Sequence, residues 1–163
     1  MSTQSCILGI DPGLSGAISF FFPDSPDRVA AEDMPVVDGR VDVVTLAARI
    51  RQMQPSIAVI ENVHSMPKQG VASTFKFGAA CGAVHGVIGA LAIPHRFVTP
   101  NVWKKHFRLS ADKEEARSLA LQRFPATGFH FSRKKDHGRA EAALIALFLS
   151  ERAQWLGDKW GCS

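Results

Sequence analysis

Short apolar runs separated by turn residues open the chain. Cys6 to Ile10 is apolar and ends at Asp11-Pro12-Gly13; Gly16 to Phe22 is apolar and ends at Pro23-Asp24-Ser25-Pro26. The two runs predict a β-hairpin, with a third strand across Arg28–Met34. The period changes at Asp42, which stands in the N-cap position before Val43, Leu46, Ala47 and Ile50 at helical spacing; Pro55 stops this helix. Ile57-Ala58-Val59-Ile60 is an uninterrupted apolar run, the pattern of a strand buried on both faces. A helical pattern returns from Gly70 to Leu91 and stacks Gly78, Gly82 and Gly86 at every fourth position. Each glycine costs about 1 kcal/mol relative to alanine in a helix interior. Three on one face therefore predict the close approach of another backbone, the sheet in first place and a partner helix in second.

Ile93 to Val98 reads as a further strand. Thr99-Pro100 supplies N-cap and first helical position for a short helix carrying Val102, Trp103 and Phe107 beside Lys104, Lys105 and His106. Ser110 to Glu114 opens another helix that runs to Arg123 before Pro125. Ala126–Lys135 reads as a polar, basic loop, and Arg139–Phe148 as a strongly apolar helix. Three strands followed by alternating helix and strand predict an α/β domain: a mixed five-stranded sheet with helices on both faces. One domain is expected over residues 1–163, with its core at about 5–150 and a short tail.

Composition supports a folded chain: 46% of the residues are hydrophobic and 21% charged, which excludes a disordered polar class. The three cysteines, Cys6, Cys81 and Cys162, have no paired spacing; Cys6 and Cys81 sit in apolar runs and read as reduced core thiols. The N-terminus lacks the charged and apolar regions of a secretory signal. The longest uncharged run, Phe77 to His95, reads as a buried helix rather than a membrane span. A cytoplasmic protein with no membrane association is expected. The net charge of +4 is unevenly distributed, because residues 99–140 hold ten Lys and Arg against four Asp and Glu. Such a stretch is either a solvated face or a footprint for a phosphate backbone.

Three acids occupy places where burial should forbid them. Asp11 follows Ile7-Leu8-Gly9-Ile10 at a strand's carboxyl end, Glu61 follows Ile57–Ile60 in the same way, and Glu141 lies between Ala140 and Ala142 in the most apolar helix. Each has an ordinary reading: a turn residue, an exit to solvent, a partner of the helix dipole. Together they point to a hard-cation site, since buried carboxylates need a base, hydrogen bonds or a metal, and oxygen ligands select Mg²⁺ or Mn²⁺.

These motifs, Ile7-Leu8-Gly9-Ile10-Asp11-Pro12-Gly13, then Ile60-Glu61, then Asp136-His137-Gly138-Arg139-Ala140-Glu141-Ala142-Ala143-Leu144-Ile145-Ala146, resemble the RuvC family of Holliday-junction resolvases over roughly residues 5–150. Lys76 through Gly86 and the Val98–Lys113 segment fall in the family's order. The resemblance implies a ribonuclease-H-like fold and an endonuclease that resolves four-way DNA junctions as a homodimer by paired nicks. It also implies two Mg²⁺ ions per site, roughly 4 Å apart, with Mn²⁺ able to substitute. Asp11, Glu61 and Glu141 match the family's acids on the first strand, the second acidic strand and the last helix. The fourth ligand is Asp136 or His137. On a helix His137, four residues before Glu141, shares its face, whereas Asp136 is rotated by about 140° and would cap the helix; if the helix starts later, Asp136 could still reach the metal.

Lys104, Lys105, Lys113, Arg133, Lys134, Lys135 and Arg139 are the expected DNA contacts. Lys104 and Lys113 fall where the family carries functional lysines, and Arg133–Lys135 are expected to form a mobile backbone clamp. The loop carrying His64 and Met66 lies where the family wedges the junction centre. Phe75 and Phe77 are read as core or dimer packing. The rival reading is a non-catalytic module that binds branched DNA with the same fold. An actin-like phosphotransferase, suggested by the Asp11-Pro12-Gly13 turn alone, needs two such domains and a longer chain.

Overall fold

The computed structural model describes residues 4–64 and 68–155. Five strands, β1 (Ile7–Asp11), β2 (Ala17–Phe21), β3 (Val29–Asp33), β6 (Ile57–Glu61) and β7 (His95–Val98), form one mixed sheet in the order β3-β2-β1-β6-β7. β1, β2 and β3 are antiparallel neighbours, while β6 and β7 run parallel to β1. A two-residue pair, β4 (Val36–Val37) and β5 (Arg40–Val41), forms a small separate hairpin that the apolar pattern does not mark. The helices are α1 (Val43–Met53), α2 (Val71–Ala90), α3 (Pro100–His106), α4 (Lys113–Arg123) and α5 (His137–Trp155). The α/β reading holds, with helices on both faces.

Strand alternation divides the core in two. Ile7, Phe21, Val29, Ala31 and Val59 point to the face covered by α3, α4 and α5; Leu8, Ile10, Ile18, Phe20, Ala58 and Ile60 point to the face covered by α1 and α2. Local signals start the helices as expected. The Asp42 carboxylate accepts from the Thr45 N–H at 3.1 Å, and Pro100 occupies the first turn of α3.

α5 lies directly on β1 and β2. A Cβ added at Gly9 would sit 2.2 Å from the Ala142 carbonyl oxygen and 2.9 Å from the Ala146 Cβ. The Ser19 hydroxyl donates to that same carbonyl at 2.7 Å. A residue without a side chain on β1 and a hydroxyl on β2 thus seat the helix backbone against the sheet.

Three expectations change. Ala126–Lys135 is not an irregular loop: Pro125–Phe131 and Lys134–Asp136 wind into 3₁₀ turns, held by buried Phe124 and Phe131 and by the Val29 N–H, which donates to Thr127 at 3.0 Å. The last helix starts at His137, two residues earlier than expected, and extends to Trp155. The third change concerns α2. Ala80, Val84, Val87 and Ile88 pack on the sheet, but a Cβ at Gly78, Gly82 or Gly86 would meet nothing within 4 Å. The glycine face is open, not pressed on the sheet, and Phe75 at 77% exposure is not a core residue. By length and composition α2 could cross a membrane; its buried side is part of the second core instead.

Gly9→Ala is expected to cost about 3 kcal/mol or more by forcing α5 off the sheet, read as a lowered urea midpoint; an unchanged midpoint contradicts the seating described.

Candidate metal centre

Strand parity brings the first two acids together. Ile7, Gly9 and Asp11 share the α5 face of β1; Ile57, Val59 and Glu61 share it on β6. Ile10 is paired with Ile60 in parallel register, so Asp11 and Glu61 emerge side by side at the carboxyl ends of adjacent strands. Glu141, in the second turn of α5, completes the group, and ligand oxygens of all three lie within 4.8 Å of one another. Glu61 and Glu141 are buried. The first turn of α5 closes down on the β1–β2 turn, where a Cβ on Gly138 would lie 3.1 Å from the Ser15 carbonyl and 3.6 Å from Asp11 Oδ2. That turn is shaped by Gly13, whose φ of +124° suits glycine, and by the Gly16 N–H donating to the Gly13 carbonyl at 3.1 Å.

Two consecutive residues of α3 hold two of the acids. The Trp103 indole N–H donates to Glu61 Oε1 at 2.9 Å, and Lys104 Nζ lies 3.5 Å from Glu141 Oε1. Around the acids opens a cleft of about 450 Å³, lined also by Ser73, Lys76 and Phe77 from α2, by Lys113 and by His137. His137 Nε2 lies 3.5 Å from Lys113 Nζ.

Burial, and then the charges of Glu61 and Glu141, hold the Asp11 carboxyl well above the ordinary range, with Lys113 pulling it down. Burial also raises Glu61; the Trp103 N–H and Lys104 oppose the shift, and Glu141 adds to it. Three acids pressed together, largely out of water, fit a hard divalent cation with oxygen ligands, and the nearby imidazole does not disturb that match.

Asp11, Glu61, Glu141 and His137 therefore line one cleft, with Lys113 beside them. Asp136 lies apart. Its buried carboxylate is taken by Arg133, which donates from its backbone N–H at 2.8 Å and from Nη2 at 2.8 Å. Arg133 and the hydrogen bonds it makes hold Asp136 below the ordinary carboxylate range against the cost of burial. Arg139 donates to Asp33 at 2.8 Å. Lys105, Lys134 and Lys135 are exposed, and Lys105 lines a separate groove with Asn101, Lys104 and Arg108. His64 is exposed; Met66 lies outside the described residues. Sequence reasoning missed Trp103 as a partner of Glu61. It also missed Lys76 as a wall of the cleft, although its place as the one Lys, Arg, Asp or Glu of α2, two residues before Gly78, was a usable signal.

The fold is a ribonuclease-H-like one, similar to that of solved Holliday-junction resolvases. RuvC of Thermus thermophilus in complex with a Holliday junction substrate matches with a TM-score of 0.63 over 93% of this chain and 96% of that one, at 19% identity. A second T. thermophilus RuvC structure gives 0.61 at 19% identity, covering 92% and 96%. The fowlpox virus resolvase in complex with Holliday junction DNA gives 0.54 at 10% identity, covering 90% and 97%. No family model matches the sequence, and no curated protein matches it.

The raised carboxyls carry a sign. A folded-state acid above its unfolded value keeps a proton the unfolded chain has lost, so its stabilisation is full in acid and is lost as pH rises through the folded value. The metal-free protein should therefore weaken from pH 4 toward neutrality. Asp11→Asn should raise its midpoint at pH 7 by about 3 °C, corresponding to about 1 kcal/mol, and the gain should shrink near pH 4. Calorimetry in chelator checks both.

Proposed function

We propose that this chain is a divalent-metal-dependent DNA endonuclease that resolves four-way junctions by paired nicks. The observation that carries the reading is the carboxylate group of Asp11, Glu61 and Glu141, with oxygens within 4.8 Å at the strand ends of a resolvase fold. Asp11, whose carboxyl meets the charges of both other acids, would hold the metal together with Glu61 and Glu141. His137 completes the set in preference to Asp136, a choice supported by its place in the cleft and by the engagement of Asp136 with Arg133. When two divalent cations are bound, Mg²⁺ or Mn²⁺, the chemistry supplied is activation of water and stabilisation of the leaving 3′ oxygen. Lys113 and Lys76, on the rim of the cleft, hold the phosphate oxygens. Lys104 balances Glu141 before substrate arrives, and Lys105, with Arg108 in the adjoining groove, guides the strand. The reduced Cys6 and Cys81 suit work in the cytoplasm.

Two cuts call for two sites, and the exposed side of α2 supports a symmetric dimer. Val71 is 89% exposed and Phe75 77%; with Gly78, Gly82 and Gly86 they leave one side of the helix bare, beside half-exposed Phe97 on the edge strand. Gly82→Arg is expected to convert a dimer to a folded monomer that no longer makes paired nicks, measured by sedimentation and by product linkage on a cruciform plasmid. A wild-type monomer at micromolar concentration contradicts the dimer.

Asp11→Asn, Glu61→Gln and Glu141→Gln are each expected to lower nicking of a synthetic four-way junction by at least about 10³-fold while junction binding in a mobility shift persists. A wild-type chain that shifts the junction but never cuts it, with Mg²⁺ or Mn²⁺, would establish the non-catalytic branched-DNA module instead.

A further inference from the structure

Trp103 is completely buried among Val59, Val98, Ala140 and Leu144, yet it brings one polar atom into that apolar surround. The indole N–H is a donor and nothing else, so burial obliges it to find an acceptor. The acceptor is Glu61 Oε1 at 2.9 Å. The backbone leading to this contact is fixed at both ends. Glu61 is paired with Val98 on β7, the Asn62 N–H donates to the Val98 carbonyl at 2.7 Å, and α3 starts two residues later with Pro100 in its first turn. Trp103 is thus returned, within one helical turn of the end of β7, to the side chain at the end of the neighbouring strand β6.

The two α3 contacts differ in kind. Lys104 meets Glu141 with a positive charge, which competes with a cation for the same oxygen. Trp103 meets Glu61 with a neutral dipole, which fixes the carboxylate plane and leaves its negative charge for the metal. A phenylalanine would fill nearly the same volume and would not do this.

We propose that Trp103 is a positioning residue: its indole N–H sets the rotamer of Glu61 so that the other carboxylate oxygen is presented to the divalent cation. The inference rests on the reading of Asp11, Glu61 and Glu141 as a metal centre. The test is calorimetric titration of Mn²⁺ alone into metal-free wild-type protein and Trp103→Phe. The variant is expected to bind Mn²⁺ about 10-fold more weakly and to need about 10-fold more Mn²⁺ for half-maximal nicking, with the rate at saturating metal within about twofold of wild type. A folded Trp103→Phe that binds Mn²⁺ as wild type does overturns the assignment and leaves the metal centre standing; a wild-type chain that binds no Mn²⁺ overturns both. Should Trp103→Phe fail to fold, the wild-type indole decides. With Trp155 and Trp160 replaced by Phe, Trp103 is the one remaining indole, and its Nε1–H resonance is expected to shift on Mg²⁺ addition and saturate with the Mg²⁺ dependence of nicking. A resonance that does not move rejects the proposal.

Discussion

The seating of α5 on β1 at Gly9 governs the geometry of the whole centre. Interior side chains normally hold a helix away from the sheet it packs on, and at that spacing an acid on α5 would have to stretch to meet one on β1. Gly9 removes the spacer, Ser19 fastens the Ala142 carbonyl, and Gly138 lets the first turn settle on the β1–β2 turn. Asp11 lies two residues beyond Gly9 on the same face, and Glu141 lies one residue before Ala142. The contact that sets the height of the helix is therefore close in sequence, on both β1 and α5, to the groups that must meet.

Closeness of this kind is costly for carboxylates, and the fold offsets it unevenly. Asp11 feels the charges of both other acids, relieved in part by Lys113; Glu61 has an indole dipole; Glu141 has an ammonium. None of these neutralises the group fully, so the centre retains negative charge that a small hard cation relieves. α3 is short, seven residues, but it supplies two of these contacts from consecutive positions because Pro100 and the end of β7 leave it little freedom.

What was legible in the sequence follows from how local each feature is. Strands ending in acids are written in consecutive residues, and the structure sets Asp11 and Glu61 at the carboxyl ends of adjacent strands. The different surroundings of Asp136 and His137 were not legible because they depend on where α5 begins and on a side-chain pairing with Arg133 three residues back. The open face of α2 was misread for a related reason: small apolar residues look alike whether they touch a sheet or nothing at all. The 3₁₀ turns of 125–136 were hidden because their buried anchors, Phe124 and Phe131, follow neither a strand nor a helix period and are mixed with exposed Phe129. Trp103 and Glu61, forty-two positions apart, are joined by tertiary return, which no local period encodes.

The pairing of Arg133 with Asp136, and of Arg139 with Asp33, also changes what the basic stretch means in salt solution. Affinity for a polyanion grows with the number of condensed counterions a protein sets free, and a guanidinium already facing a carboxylate displaces fewer of them. Residues 99–140 are thus less basic electrostatically than their ten Lys and Arg indicate. Arg133 and Arg139 brace the scaffold, and the ionic-strength sensitivity of the surface is left mainly to its lysines and Arg108.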